Sequence, residues 1–271
     1  VPNFLADILA AHREVAAADA RDVDELLAEA VRRPPTLGFA EALTAHAGQG
    51  LGVIAEVKRR SPSKGDLDPD LDPAELAREY ADGGATCLSV LTDGPGFGGS
   101  PADLAAARNA TGLPTLRKDF TVCRADVCDA RLMGADAVLL IVAALEQAEL
   151  VEMLGLAAIC GLAALVEVHD DEELARAVDS GARIIGVNQR DLHTFEVDED
   201  RAARLAERIP PYVLAVAESG VRDGDDAARL AAAGYQAVLV GETFIRSPAR
   251  PAAVKAMVGH PVGRRASAPP R

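Results

Sequence analysis

Residues 135–188, ADAVLLIVAALEQAELVEMLGLAAICGLAALVEVHDDEELARAVDSGARIIGVN, decide the fold. The stretch holds three short branched-aliphatic runs, ADAVLLIV, LAALVEV and ARIIGVN, separated by two segments with helical spacing of Ala, Leu and Glu. Runs that are apolar on both faces and separated by helices imply a parallel sheet, because only a crossover returns the chain to a parallel neighbour. The alternation continues outward: LGVIAEV from Leu51, ATCLSVL from Ala85 and LPTLRK from Leu113 precede it, and YVLAVAE from Tyr212 and YQAVLVG from Tyr235 follow. The segments between them, DPAELAREYADGG and SPADLAAARNATG among others, open with Asp, Ser or Pro and close on Gly, as capped helices do. Eight such units predict an α/β fold of the (β/α)8 or TIM barrel type, over residues 48–258. A doubly wound open sheet usually carries a glycine-rich fingerprint in its first strand-to-helix turn, and that turn here reads KRRSPSKGD.

Residues 1–47 predict a helical N-terminal extension, from the spacing of Phe4, Leu5, Ile8 and Leu9 and of Leu26, Leu27, Ala30 and Val31, with a break at Pro34-Pro35. The extension is too small to be a domain, so the 271 residues are expected to form one, with residues 259–271 a disordered tail. Apolar stretches are interrupted by Asp136, Glu146 and Glu152 before reaching the ~18 residues of a membrane span. The first residues lack the pattern of a secretory signal, and Cys87, Cys123, Cys128 and Cys160 form neither a CxxC pair nor a His-flanked cluster. A cytoplasmic protein with idle thiols and no metal site is expected. A net charge of −14, with 3% aromatic residues and no Trp, disfavours nucleic acid as a partner but leaves room for a small phosphorylated substrate in a locally positive site.

Barrels of this type place their chemistry at the carboxyl ends of the strands. Glu56 and Lys58 end the first run, two residues apart and so on one face. Lys118 ends the third run, Glu167 the fifth, Asn188 the sixth with Arg190 just beyond it, and Glu218 the seventh, followed by Ser219. A lone charge at a strand end is usually a solvated rim residue, whereas so many around one ring point to a cleft in which pairing tunes proton transfer. Ser219-Gly220 and Gly241 stand after the seventh and eighth runs, where barrels hold phosphate against backbone amides, and Ser61 and Lys64 in the first loop add a hydroxyl and a cation. Taken singly, such glycines are as readily turn formers. His169 and His193 are weaker candidates, each expected at the surface. Asp119, pointing opposite to Lys118, is expected to buttress the wall.

Read as strings, these strand ends are IAEVKRRSPSKG, LRKDF, LVEVH, GVNQRDL, AESGV and LVGE, and in order and spacing they resemble the motifs of indole-3-glycerol-phosphate synthases from about residue 50 to 246. EVKRRSPSKG and RKDF carry the specificity; AESG and VGE occur in other phosphate-binding barrels. The resemblance implies a cofactor-free carboxy-lyase acting on the phosphosugar 1-(2-carboxyphenylamino)-1-deoxyribulose 5-phosphate, closing an indole ring with loss of carbon dioxide and water. It also implies roles. Lys118 is the general acid and Glu167 its acid–base partner, with Glu56 and Lys58 flanking the reacting centre. Asn188, Arg190 and Glu218 position the substrate, and Ser61, Ser219, Gly220 and Gly241 contact its phosphate. Glu242 stands where many relatives have a small residue, so a phosphate contact there is expected through its backbone N–H. Phe97, Phe120 and Leu139 line the aryl pocket. The chain departs from the family at Gln189, commonly asparagine, and in the glycine-rich loop LTDGPGFGGS, where Phe97, Gly99 and Ser100 keep their places.

The chemistry accounts for these residue types independently: aromatic attack on a carbonyl needs an acid for the developing oxyanion, and expelling hydroxide needs one again. Two other readings stay open on the residues alone. One is another phosphosugar barrel, an isomerase or an aldolase with Lys118 as Schiff-base nucleophile, which borohydride trapping separates. The other is a non-catalytic phosphosugar-binding relative. A monomer or weak homodimer is expected in each case.

Overall fold

In the computed structural model, which describes residues 4–62, 64–191 and 194–265, eight parallel strands close into a barrel. They are β1 (Gly52–Val57), β2 (Cys87–Leu91), β3 (Thr115–Lys118), β4 (Ala137–Ile141), β5 (Ala163–Val168), β6 (Ile184–Asn188), β7 (Leu214–Glu218) and β8 (Ala237–Val240). Each pairs with its sequence neighbours, and β1 closes the ring on β8 with Gly52 opposite Ala237. Every barrel strand lies inside one of the eight aliphatic runs. The strand interiors are almost wholly buried: Val53, Leu140, Val166 and Ile185 fill the space between barrel and helices, and Ile54, on the same face as Glu56, points into the barrel.

Three helices precede the barrel: α1 (Phe4–Ala18), α2 (Val23–Arg32) and α3 (Phe39–Ala47). The rest are α4 (Pro73–Asp82), α5 (Gly94–Phe97), α6 (Pro101–Thr111), α7 (Arg124–Leu132), α8 (Gln147–Ile159), α9 (Asp171–Asp179), α10 (Arg201–Ala206), α11 (Gly224–Ala232), α12 (Glu242–Arg246) and α13 (Arg250–Lys255). The start signals work as read. Asp72, Ser100, Asp170 and Asp223 each accept hydrogen bonds from amides of the first turn of α4, α6, α9 and α11, and prolines open α4 and α6. No helix among the described residues is long and apolar enough to cross a membrane.

The helical extension precedes β1 as expected, with Leu9, Leu26 and Leu27 packed against the core, and two details need correction. In the extension, the deeply buried residues are Leu5, Ala30, Phe39 and Leu43, whereas Val31 is 52% exposed. The break at Pro34-Pro35 is followed by another helix, α3, and it is this one that packs on β1 and β2. The tail also does not fray at 259: the Leu51 amide donates to the carbonyl of His260 and the Gly263 amide to that of Ala231, each at 2.8 Å, tying residues 260–263 to the amino end of β1 and the carboxyl end of α11. Residues 266–271 lie outside the described residues.

Candidate active site

The carboxyl ends of the strands surround a cavity of about 700 Å3, bordered by Lys64 and by every residue to which the resemblance gives a role, from Glu56 to Glu242, while the weaker candidate His169 does not border it. His193 lies outside the described residues. At the centre stands Lys118, the last residue of β3. Its ammonium donates to Oε2 of Glu167 at 2.7 Å and to Oε2 of Glu218 at 2.9 Å, from strands β5 and β7 across the barrel. Both carboxylates are almost fully buried. Asn188, at the end of β6 and in register with Glu218, donates from Nδ2 to Oε1 of Glu167 at 3.1 Å, so Glu167 is held at both oxygens. On the other side of the mouth Lys58 pairs with Glu56 at 2.6 Å.

Small residues make room for these groups. A Cβ on Gly186, the register partner of Glu167, would collide with Oε1 of Glu218, and one on Gly241 would stand 2.6 Å from Oε1 of Glu56. Neither glycine has a positive φ; the need is space.

Burial works differently on the three central groups. For Lys118 it disfavours the ammonium, but Glu167, Glu218 and Glu56 outweigh it and hold the amine above its ordinary range. For Glu167 burial favours the neutral acid, and Lys118 and His169 reverse this, keeping the carboxyl ionised. Glu218 is pushed up to about 7, by burial first and by the charge of Glu167, with Lys118 opposing. Its Oε1 is buried and has no hydrogen-bond partner among the described residues. Two carboxyl groups sharing one ammonium are thus driven apart, one held ionised and the other brought near neutrality.

At a second edge of the cavity, Ser219 has φ 63° and Gly220 φ 72°. A left-handed serine costs ~1 kcal/mol, and Gln189 fixes the turn by donating from Nε2 to the Ser219 carbonyl at 2.8 Å. Gly241 caps α12, and Thr243 donates to the Val221 carbonyl at 2.7 Å, linking the loops after β7 and β8. The carboxylate of Glu242 is engaged by Arg246 at 3.1 Å. Arg190 donates to the Phe195 carbonyl at 3.0 Å, and Ser61 lies buried in a small hairpin formed by Arg60–Ser61 and Gly65–Asp66.

At the opposite edge the Phe97 and Phe120 rings lie 6.4 Å apart, near Leu139. Sequence reasoning missed what holds them. Asp93 accepts from the amides of Gly96 and Phe97, and its other oxygen meets Nε2 of His12 at 3.2 Å, which raises the histidine pKa above its usual value. The His12 ring, from α1, lies 5.3 Å from that of Phe120. No local pattern in the first helix could have placed it there. Asp119 turns to Arg117 and Thr92 in the wall. His169 is a correction: expected at the surface, its side chain is only 11% exposed.

The family model described as indole-3-glycerol phosphate synthase matches residues 5–257. Indole-3-glycerol phosphate synthase 2 of Streptomyces coelicolor is 52% identical to this chain over 85% of it and 88% of its own length. The synthase of Mycobacterium ulcerans is 52% identical over 86% and 85%, and that of Kineococcus radiotolerans 50% over 90% of each. Among solved structures, thiamine phosphate pyrophosphorylase of Pyrococcus furiosus shares the fold, with a TM-score of 0.58 at 19% identity over 77% of this chain and 94% of that one. The family model covers the extension and the barrel alike, and this chain belongs to the indole-3-glycerol phosphate synthase family, carboxy-lyases of tryptophan biosynthesis.

Proposed function

We propose that the Lys118–Glu167–Glu218 cluster carries the proton transfers of the indole-forming reaction, and that the two edges of the cavity hold the two ends of the substrate. The substrate is 1-(2-carboxyphenylamino)-1-deoxyribulose 5-phosphate. Its phosphate lies at Ser219, Gly220 and Gly241, with the backbone N–H of Glu242 and the side chains of Ser61 and Arg190 near it. Its aryl ring lies against Phe97, Phe120 and Leu139. The engagement of the Glu242 carboxylate by Arg246 supports a phosphate contact through backbone at that residue, since a free carboxylate would repel the anion.

Ring closure joins the aryl carbon that bears the carboxylate to the ribulose carbonyl carbon. The carbonyl oxygen then takes a proton, carbon dioxide leaves, and its bonding pair restores the aromatic ring. Dehydration adds a second proton to the new hydroxyl and removes one from the carbon beside nitrogen. Two protons go in and one comes out, so each turnover consumes one. Lys118 supplies the acid for the oxyanion and for the departing water. Glu167, held ionised, removes the carbon-bound proton, and Glu218 recharges the amine over 2.9 Å. Glu56 and Lys58 flank the reacting carbons, with Lys58 beside the substrate carboxylate, and Asn188 keeps Glu167 in place.

The observation that carries this reading is the lysine ammonium shared by two buried carboxyl groups of opposite protonation tendency. The test mixes purified protein with the carboxyphenylamino deoxyribulose phosphate in the presence of chelator and follows indole fluorescence. Its appearance is expected. Failure despite measurable substrate binding, or a lysine adduct trapped by borohydride, would replace the acid–base assignment.

A further inference from the structure

The reaction as derived makes no use of His169, the first residue after β5. Its Nδ1 lies 3.0 Å from Oε2 of Glu173, in the first turn of α9, and the same oxygen accepts the His169 backbone amide at 2.8 Å. Nδ1 is therefore the N–H side of the ring. Nε2 faces Oε1 of Glu167 at 3.4 Å, an ion-pair distance without hydrogen-bond alignment. A bare lone pair there would face the lone pairs of a buried carboxylate, so Nε2 also carries its proton and the ring is an imidazolium between two carboxylates. Exposure rises outward along the row, from 2% at Glu167 to 11% at His169 and 16% at Glu173. The other groups facing Glu167 are Lys118 from β3, on Oε2, and Asn188 from β6, on Oε1; Glu218 from β7 stands beyond Lys118.

We infer that His169 is a positioning residue for the indole-forming reaction: clamped by Glu173, it turns the Glu167 carboxylate toward Lys118 and supplies a second positive charge that keeps it ionised. The clamp needs both partners. Without Glu173 the imidazolium has one counter-charge instead of two and its ring is free to rotate, and without His169 the base faces one cation instead of two. Burial then pushes the Glu167 carboxyl toward its neutral form, in which it cannot accept a proton.

The inference rests on the reading of Glu167 as the base, so three variants are measured together: His169→Asn, Glu173→Gln and Glu167→Gln, each over the full pH range and with a thermal melt. His169→Asn is expected to lower kcat about 10-fold with KM within about two-fold, and to move the acid limb of the kcat profile toward neutrality by about one pH unit. Glu173→Gln is expected to do the same more weakly, and it carries the test where His169→Asn fails to fold. If Glu167→Gln is crippled while the histidine and Glu173 variants keep both kcat and the acid limb, His169 is only a packing residue and this inference falls while the base survives. A fall in kcat with no movement of the acid limb overturns it as well. Near-normal turnover in Glu167→Gln removes the base and this inference together.

Discussion

At the residue scale the site works by contrast between like groups. Glu167 and Glu218 are both glutamates, both buried and both bonded to one ammonium, yet the His169 ring beside Glu167, and burial together with the charge of Glu167 at Glu218, send them opposite ways. Lys118→Ala removes the shared acid and is expected to lower kcat by about 10²-fold or more with a smaller effect on KM; turnover near that of the native protein would take Lys118 out of the acid role. For Glu218, whose pKa lies at about 7, the sign of the pH effect follows from which form works. If the protonated acid recharges Lys118, kcat falls as pH rises through about 7, and Glu218→Gln, which holds no exchangeable acid proton, loses both rate and that limb. A Glu218→Gln profile that keeps the limb would assign it to another group. The types and strand-end positions of these residues were legible in the sequence. Their opposite ionisation was not, because it depends on neighbours from β3, β5, β6 and β7 that no spacing within one strand reveals.

At the element scale, strands and loops divide the labour. The strands present rigid side chains in register, while the turns after β7 and β8 offer backbone. The left-handed pair Ser219-Gly220, braced by Gln189, and the start of α12 are joined by Thr243, so the two turns behave as one part. If that part holds the phosphate, Ser219→Ala raises KM several-fold with kcat nearly unchanged, since the contact is made equally in ground and transition states. An unchanged KM would move the phosphate elsewhere. The barrel strands were readable from their aliphatic runs because burial on both faces leaves no other composition. The short elements were not: α5 and the hairpin at Arg60–Ser61 sit in glycine-rich or polar loops, and α5 owes its shape to Asp93 and, through it, to a histidine on α1. His169 was misjudged for the same kind of reason. Its partner Glu173 is four residues away, but the pair forms only because the chain turns from β5 directly into α9.

At the scale of the whole molecule, the two ends of the barrel carry different kinds of buried charge. The carboxyl end holds groups whose proton affinities are set against one another. The amino end holds Asp136, fully buried, which accepts from Nε and Nη2 of Arg108 at 2.9 and 3.0 Å, from the Leu37 amide at 2.7 Å and from the Thr115 amide at 2.9 Å. One carboxylate thus ties the N-terminal extension, α6, β3 and the start of β4 together, and it lies at the opposite end of β4 from the cavity. Asp136→Ala would leave Arg108 without its counter-ion and two amides without their acceptor, a loss of about 3–5 kcal/mol by the usual cost of breaking a buried ion pair. For a chain of this size that lowers Tm by about 10 °C. Because none of the groups bonded to Asp136 borders the cavity, kcat and KM at 25 °C should stay within about two-fold of native while the melt shifts. Calorimetry and steady-state kinetics on the same preparation check both halves. A variant that melts normally would show that water can replace the carboxylate, and one that melts normally but turns over slowly would mean that the amino end of the barrel is coupled to the chemistry.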